Sequence, residues 1–549
     1  MEVQALLPEI TNNFLEDYLI SCGVNDVGIY LSADLNCVDS PFQYIDMDKA
    51  VLRLQNAIKK KEKIGILIDS DADGILSSAL LYSFLKKYLN VKDIVIYNHI
   101  GKQHGLVQNE QENIISQIVQ SDISLLFCPD SASNDVEQVN LLKEYGVDVI
   151  ILDHHEIEKI NSNAIVINHH RSKNLNTALS GCGVTFKFVQ AYSQKMDIDI
   201  KNQYYDMVAI SLVTDMCNMT SLENHALFKY GINNITNPMI KAMIEEYSFR
   251  DISPYNIAWS ISPKINSVFR AGTLEDKNNF FYCFVEERPI FQGLDICEFC
   301  HKNQRKIVNT LTKELNSNLE KYDNVIIGFA FNEETVYNGL IANKIAGANH
   351  KTTLVIRETQ DKYMGSLRSP IDIANKINDT GLALCQGHLQ ACGIELEKNK
   401  LNDLVEWFNH QTFSIKKNVS AIIEAKQITQ SLCQMIENNK DLWNSSEAAK
   451  ITKPKFYITF SNDSYNIYTN RTTTIKFNVN GTNIIKFRAK KEDVELIEKE
   501  DCKIEAIITL SINEWNGNKY PQAIIEEWEI VPTTKNSTLY DDNNWACNW

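Results

Sequence analysis

The chain has no uninterrupted apolar run near the roughly 20 residues that a membrane-spanning helix needs, so no transmembrane helix is expected. Its first residues, MEVQALLPEITNNFLEDYL, lack the basic stretch and apolar core of a secretory signal, which predicts a cytoplasmic protein without membrane partners. No internal repeat of roughly 20–50 residues is visible, and neither is a long low-complexity linker. Positive charge is scarce: 54 Lys and Arg stand against 70 Asp and Glu, a formal net charge of −16. That balance argues against a protein that coats DNA through a broadly basic surface. It leaves room for a carboxylate-rich metal site, and for a local basic channel in an acidic remainder. The 13 cysteines are scattered, many beside apolar neighbours (Cys128, Cys217, Cys283), and read as reduced buried thiols rather than a disulfide framework. Cys297-Glu298-Phe299-Cys300-His301 spells a c-type haem attachment string, but it lies in a helical run with no export signal. It reads as a coincidence of helix-face residues.

What is present begins with length: 549 residues are too many for one hydrophobic core, and two to four domains are expected. From about Ala50, helical and strand patterns alternate. KIGILID, DIVIY, SLLFCPD, DVIILDHH and AIVIN are short apolar strands, most of them with polar or acidic residues at the carboxyl end. Such alternation predicts a parallel α/β sheet covered on both faces, with a ligand crevice at the carboxyl ends of its strands. Residues 281–322 read as helical and charged, 323–400 as a second, smaller α/β segment, and 401–450 as helical again. Beyond Pro454 come short β-rich runs separated by Asn, Gly and Asp turns, about five strands that suggest a small OB-type barrel over 451–533. A polar tail, 534–549, follows.

The chemistry-bearing residues cluster at the strand ends. Asp69-Ser70-Asp71-Ala72-Asp73-Gly74 follows KIGILI directly. Carboxylates so crowded repel one another and are stabilised by hard cations. Asp153-His154-His155 closes another strand and supplies the oxygen and imidazole ligands that suit manganese, iron or zinc. Asp130 after SLLFCP and Asp215 in VAISLVTDM complete four acidic sites that could assemble a two-metal centre for phosphodiester chemistry.

DSDADG, PD, DHH and TDM, in this order, resemble the four motifs of the DHH phosphoesterase superfamily. IDMDKAVLRLQNAI, Ser180–Lys187, SPKINSVFRAGT, VYNGLIANKIAG, Gly365–Ser369, Gly387–Gly393 and LSINEWNGNKYPQAIIEEWEI resemble segments of its RecJ-like branch, covering about residues 40–532. The resemblance implies a parallel-sheet DHH domain with an N-terminal extension (1–280) and a long connecting helix (281–322). A smaller α/β DHH-associated domain (323–400), a helical linker (401–450) and a C-terminal OB-fold barrel (451–533) would follow. It implies a metal-dependent 5′→3′ exonuclease that releases mononucleotides from single-stranded DNA in recombination, repair or replication. Asp69, Asp71, Asp130, His154 and Asp215 would hold two divalent ions, manganese or magnesium. His155 would stand behind the metal ligands or contact the scissile phosphate, His388 would close over the metal site and touch phosphate, and Asp73 would be a structural partner that hydrogen-bonds local backbone. Ser366, Arg368, His99, Asn266 and Arg270 would bind substrate phosphates, and Trp515, Tyr520 and Trp528 are candidates to stack on bases, with packing in the barrel core as the alternative. A monomer is expected, with single-stranded DNA as substrate and a single-strand-binding protein or helicase as partner.

The sequence also departs from the pattern. Ser131-Ala132-Ser133-Asn134 follows Asp130 where relatives have a small glycine, Asn168-His169-His170 stands where Asn-Pro is common, and Phe269 replaces a glycine. In YNHIGKQHGL, His99 occupies the place of an arginine that helps bind a 5′ phosphate, with Lys102 or His104 as substitutes. These changes, and an Asn-, Ile- and Lys-rich composition, suggest a divergent branch from a phage or mobile element. Two alternatives stand beside the exonuclease: a phosphodiesterase of short oligoribonucleotides or cyclic dinucleotides, and a non-catalytic replication scaffold.

Overall fold

In the computed structural model of the chain, the described residues are 1–106, 113–173, 175–247, 252–330, 335–411 and 416–533. They fall into two compact units. One comprises Gly23–Ile415 with Asp441–Thr452; the other comprises Met1–Cys22, Lys416–Lys440 and Lys453–Trp549.

The larger unit is built on a five-stranded sheet of β1 (Ile64–Ile68), β2 (Ile94–Asn98), β3 (Leu125–Pro129), β4 (Asp148–Leu152) and β5 (Ala164–Ile167). The spatial order is β2-β1-β3-β4-β5 and every pairing is parallel. β1 and β3 are buried along their whole length, which is why they read as continuous apolar runs rather than alternating ones. One core cluster packs α1 (Ala72–Lys87), α2 (Gly181–Met196) and α3 (Tyr205–Thr214) on one face, and a second covers the other face. The chain leaves β1 for β2 on one side and then crosses back to β3 on the other. The order therefore reverses between β1 and β3. In open parallel sheets that crevice is where ligands bind, and Asp69 and Asp130 stand at its two lips.

α4 (Ser262–Ala271) and the 27-residue helix α5 (Ile290–Asn316) pack together and lead to a second, mixed sheet. On α5, Cys297 and Cys300 are buried in the core while Phe299 faces outward, so the haem-like string is a helix face. The second sheet contains β6 (Glu320–Lys321), β7 (Val325–Phe329), β8 (Thr352–Glu358), β9 (Lys362–Arg368), β10 (Leu384–His388) and β11 (Ala391–Glu397). Their order is β10-β11-β9-β8-β7-β6, with only β7 and β8 parallel, joined through α6 (Asn338–Asn349).

The smaller unit is a seven-stranded mixed sheet in the order Ala421–Ile422, Lys455–Ser461, Cys502–Trp515, Asn518–Pro532, Thr482–Phe487, Thr473–Val479 and Tyr465–Thr469. Six strands follow Pro454 where the sequence suggests about five, and Ala421–Ile422 adds a seventh by pairing in parallel with Phe456–Tyr457. The first 22 residues, expected as an extension of the DHH domain, group with this unit instead. Val3–Ala5 pairs in parallel with Lys417–Val419, and Phe14 packs on Phe456 at 5.5 Å. The polar tail 534–549 lies outside the described residues. No helix among the described residues is long and apolar enough to cross a membrane.

Candidate active site

The strand ends at the β1/β3 crevice collect the acidic residues. Asp69 follows β1, and Asp71 is the N-cap of α1, its Oδ1 accepting the Gly74 N–H at 3.1 Å. Gly74 is required there: a Cβ would lie 2.5 Å from the Asp69 Cβ and 2.7 Å from its carbonyl oxygen. Asp130 follows β3 in a left-handed conformation (φ 64°) and is 2% exposed. His154 and His155 follow β4, and Asp215 caps the C-terminus of α3. His154 Nε2 lies 3.2 Å from Asp130 Oδ1 and 3.7 Å from Asp215 Oδ2.

Three sets of side chains present ligand atoms within 4.8 Å of one another: Asp69, Asp71 and Asp130; Asp73, His154 and Asp215; and Asp130, Asp153, His154 and His155. Asp130 belongs to two of them. Its Oδ1 is buried yet accepts no hydrogen bond among the described residues, an arrangement that is costly unless a proton or a cation compensates it. Burial, then repulsion from Asp73, Asp71 and Asp69, drives the Asp130 carboxyl well above the usual carboxylate range. Burial and the Asp215 carboxylate do the same to Asp73. Burial also pushes upward on Asp71, but the Lys102 ammonium and the Gly74 N–H outweigh it and hold that carboxyl below its ordinary value. Burial lowers His154, favouring the neutral imidazole that a metal requires. Oxygen and imidazole donors without thiolate fit a hard or borderline divalent ion such as magnesium or manganese.

Asp73 behaves as a structural acceptor. Its Oδ2 takes the Gly181 N–H at 2.7 Å and its Oδ1 the Cys182 N–H at 2.9 Å, so it satisfies the start of α2 from 108 residues away. Asp153 organises the imidazoles: its Oδ1 accepts the His154 N–H at 2.7 Å and lies 2.7 Å from His155 Nδ1, and its Oδ2 accepts the Ser133 N–H. This contact fixes the His155 ring so that the other ring nitrogen stays available, and the half-exposed ring opens to solvent.

Beside the cluster opens a cleft of about 670 Å³ whose lining includes Asp71, Asp73, Asp215, Arg368, His388 and Gln390. Asn266, Arg270 and Lys102 lie in the same lining. Burial lowers the pKa of all three cations, Lys102, Arg270 and Arg368, and Arg270 adds to this at Lys102 and Arg368. Three mutually repelling, partly desolvated cations are surroundings that favour an anion. The Asn266 Oδ1 accepts the Ala72 N–H at 3.1 Å, which ties α4 to the first turn of α1. Arg368 lies against Gly339, where a Cβ would meet its Nη2 at 2.6 Å.

The structure thus brings Asp69, Asp71, Asp130, His154, His155 and Asp215 to one crevice, and Asn266, Arg270, Arg368 and His388 to the cleft beside it. Ser366 lies two residues before Arg368 on β9 and is not among the lining residues. His99, expected at a phosphate, is only 1% exposed, and its carbonyl accepts a hydrogen bond from Lys277. Lys102, offered as its substitute, lines the cleft. Tyr520 and Trp528 belong to the smaller unit, where Tyr520 is exposed and Trp528 packs near Phe477 at 6.3 Å; the Trp515 side chain lies outside the described residues. Lys277 gave no signal in the sequence beyond its helical neighbours, and the sequence offered Asp153 as an oxygen ligand without showing that it orients His154 and His155.

Residues 63–212 match the DHH family N-terminal domain. Over 94% of its length the chain is 26% identical to YorK, an SPbeta prophage-derived protein of Bacillus subtilis (strain 168) named for single-strand DNA-specific exonuclease activity, and 96% of that relative is covered. The chain resembles the RecJ-like members of the DHH family. It is 24% identical, over 91% of its length, to the single-stranded-DNA-specific exonuclease RecJ of the same bacterium, of which 66% is covered. The RecJ-like fold is seen directly in the crystal structure of Thermus thermophilus RecJ in complex with Mn2+. The TM-score is 0.72 at 17% identity, covering 88% of this chain and 72% of that one. A second structure of that RecJ, with Mg2+, gives a TM-score of 0.67 at 16% identity.

Proposed function

We propose that this RecJ-like chain is a metal-dependent 5′→3′ exonuclease that hydrolyses single-stranded DNA to mononucleotides. The observation that carries this reading is one cleft that joins a carboxylate–imidazole cluster to three cations, Lys102, Arg270 and Arg368. Relatives named as single-strand DNA-specific exonucleases support the substrate class.

Asp69, Asp71, Asp130, His154 and Asp215 would hold two divalent ions, manganese or magnesium, with Asp130 between them. Such a pair lowers the pKa of bound water and neutralises charge on the phosphodiester. The chain's own residues do the rest. Arg270, Arg368 and Lys102 attract and orient a phosphate in the cleft, and the Arg368 fork suits a terminal phosphate. His155, held through Nδ1 by Asp153, keeps its other nitrogen for a phosphate oxygen, and His388 in the cleft lining offers a second imidazole.

We read the smaller unit as an OB-type module that holds the single strand. Tyr468, Thr474 and Phe487 stand in register across three neighbouring strands, and Tyr468 and Phe487 are exposed large rings. Lys476 lies on the same strand face as Thr474. Aromatic rings with a nearby cation are how such sheets bind single strands.

The test is incubation of the purified protein with manganese and end-labelled oligonucleotides: single- and double-stranded DNA, single-stranded RNA and a cyclic dinucleotide, with 5′-phosphate or 5′-hydroxyl ends. Mononucleotide release from the 5′ end of single-stranded DNA is expected. Preferential cleavage of the dinucleotide or of short RNA would move the activity to a different branch of DHH chemistry, and release from the 3′ end first would reverse the polarity.

A further inference from the structure

The loop between β2 and the next helix carries a third imidazole to the cluster, and its path is built to do so. The buried Lys277 ammonium donates to the His99 and Gly101 carbonyls at 2.7 and 2.6 Å. The Gln103 N–H lies 3.4 Å from the Ser70 hydroxyl, and the Leu106 N–H donates to Asp135 Oδ2 at 2.6 Å. Gly105 has φ +66°, and a Cβ there would come within 2.3 Å of Asp135 Oδ2, so only glycine lets the loop sit this close. The result is that His104 Nδ1 lies 2.9 Å from Asp69 Oδ1, and the Gly105 N–H reaches the same oxygen at 3.2 Å.

The other face of the His104 ring meets His155 edge-on, with ring centroids 4.7 Å apart. Its side chain is 54% exposed, so the ring is wedged between Asp69 and His155 without being part of the hydrophobic core. Asp69 itself is 3% exposed and belongs, with Asp71 and Asp130, to one of the candidate ion-binding sets. A carboxylate that gives one oxygen to two fixed N–H donors can no longer rotate.

We propose that His104 is a positioning residue of the metal centre: its Nδ1–H and the Gly105 N–H together hold one Asp69 oxygen, leaving the other for a divalent cation. This rests on reading the crevice as a metal site. Hydrogen bonds from a neighbouring group that orient a ligand commonly change metal affinity by about 10–100-fold when removed. The role needs a donor at the Nδ1 position, not a charge.

The experiment is a manganese titration of the full chain, with free Mn2+ followed by its electron paramagnetic resonance signal, on the wild type, H104A, H104N and H104Q. Asparagine places an amide nitrogen close to the Nδ1 position, whereas glutamine carries it one bond farther. H104A and H104Q are expected to bind manganese about tenfold or more weakly. H104N is expected to stay within about threefold of the wild type, with thermal unfolding of each variant as the check on folding. Nuclease kcat at saturating manganese should follow the same order. Wild-type protein that binds no manganese would remove the metal reading itself. Wild-type binding with an unchanged H104A, or a folded H104N as weak as H104A, would overturn the role given to His104 while leaving the metal reading intact.

Discussion

Gly181, the first residue of α2, stands so close to Asp130 that a Cβ would lie 2.3 Å from its Oδ1. Asp73 holds that same helix start through the Gly181 and Cys182 N–H groups. The helix terminus therefore sets the position of the carboxylate proposed to lie between two ions. Gly181→Ala is expected to displace Asp130 and lower kcat at least about 100-fold, in line with the sensitivity of catalytic sites to displacements near 1 Å. Steady-state kinetics, with circular dichroism to confirm a folded chain, would check this. A variant with unchanged kcat would show that Asp130 can shift without consequence.

Lys277 is buried and donates to two loop carbonyls. Lys277→Met keeps the aliphatic volume but leaves those carbonyls without this donor, at an expected cost of about 1–3 kcal/mol. Because the pinned loop carries Lys102 into the cleft, KM for a phosphorylated strand should rise more than kcat falls. Urea unfolding and a KM–kcat comparison measure the two effects separately.

The sequence showed the sheet and the cluster because both are local signals. β1, β3 and β4 are apolar runs ending in acidic or imidazole residues, and parallel topology brings such ends to one edge. Partnerships across long separations were not legible. The sequence suggests local backbone as the partner of Asp73, whereas its carboxylate accepts from Gly181 and Cys182, which no periodicity of a few residues could name. The resemblance implies a phosphate contact for His99, at the place of an arginine, whereas Lys277 turns the loop so that His99 is buried and Lys102 and His104 face the site. Ala421–Ile422 was hidden inside a helical stretch because two residues carry no strand periodicity, and only pairing with Phe456–Tyr457 defines them.

Crowded carboxylates make the metal-free site unfavourable, so ion binding should stabilise the fold. Manganese at about 100 times its Kd is expected to add roughly 2.7 kcal/mol and raise the midpoint of thermal unfolding, with EDTA reversing the gain. The same titration on Asp130→Asn should show little shift. Equal shifts in both proteins would place the stabilising ion elsewhere.

His225 is buried against Tyr30, their rings stacked at 4.0 Å, and burial, with the nearby Lys229 ammonium, lowers its pKa from 6.5 to about 4. The fold therefore prefers the neutral ring. That preference contributes fully above pH 6.5 and is lost as the pH falls through 4, a change of order 3 kcal/mol. His225→Phe, which keeps a stacked ring but cannot titrate, should flatten the acid limb of stability measured by urea unfolding between pH 7 and pH 4. An acid limb identical to that of the wild type would assign the loss to other groups.

The most direct measurement compares the rate of mononucleotide release from 5′-phosphorylated single-stranded DNA, in manganese, for the wild type and Asp130→Ala purified in parallel. The expected result is a manganese-dependent wild-type rate and a loss of at least about 1,000-fold in the variant, consistent with removal of a group on which a two-ion site depends. Equal rates in the two proteins, or a wild-type rate untouched by EDTA, would contradict a metal-dependent nuclease centred on Asp130.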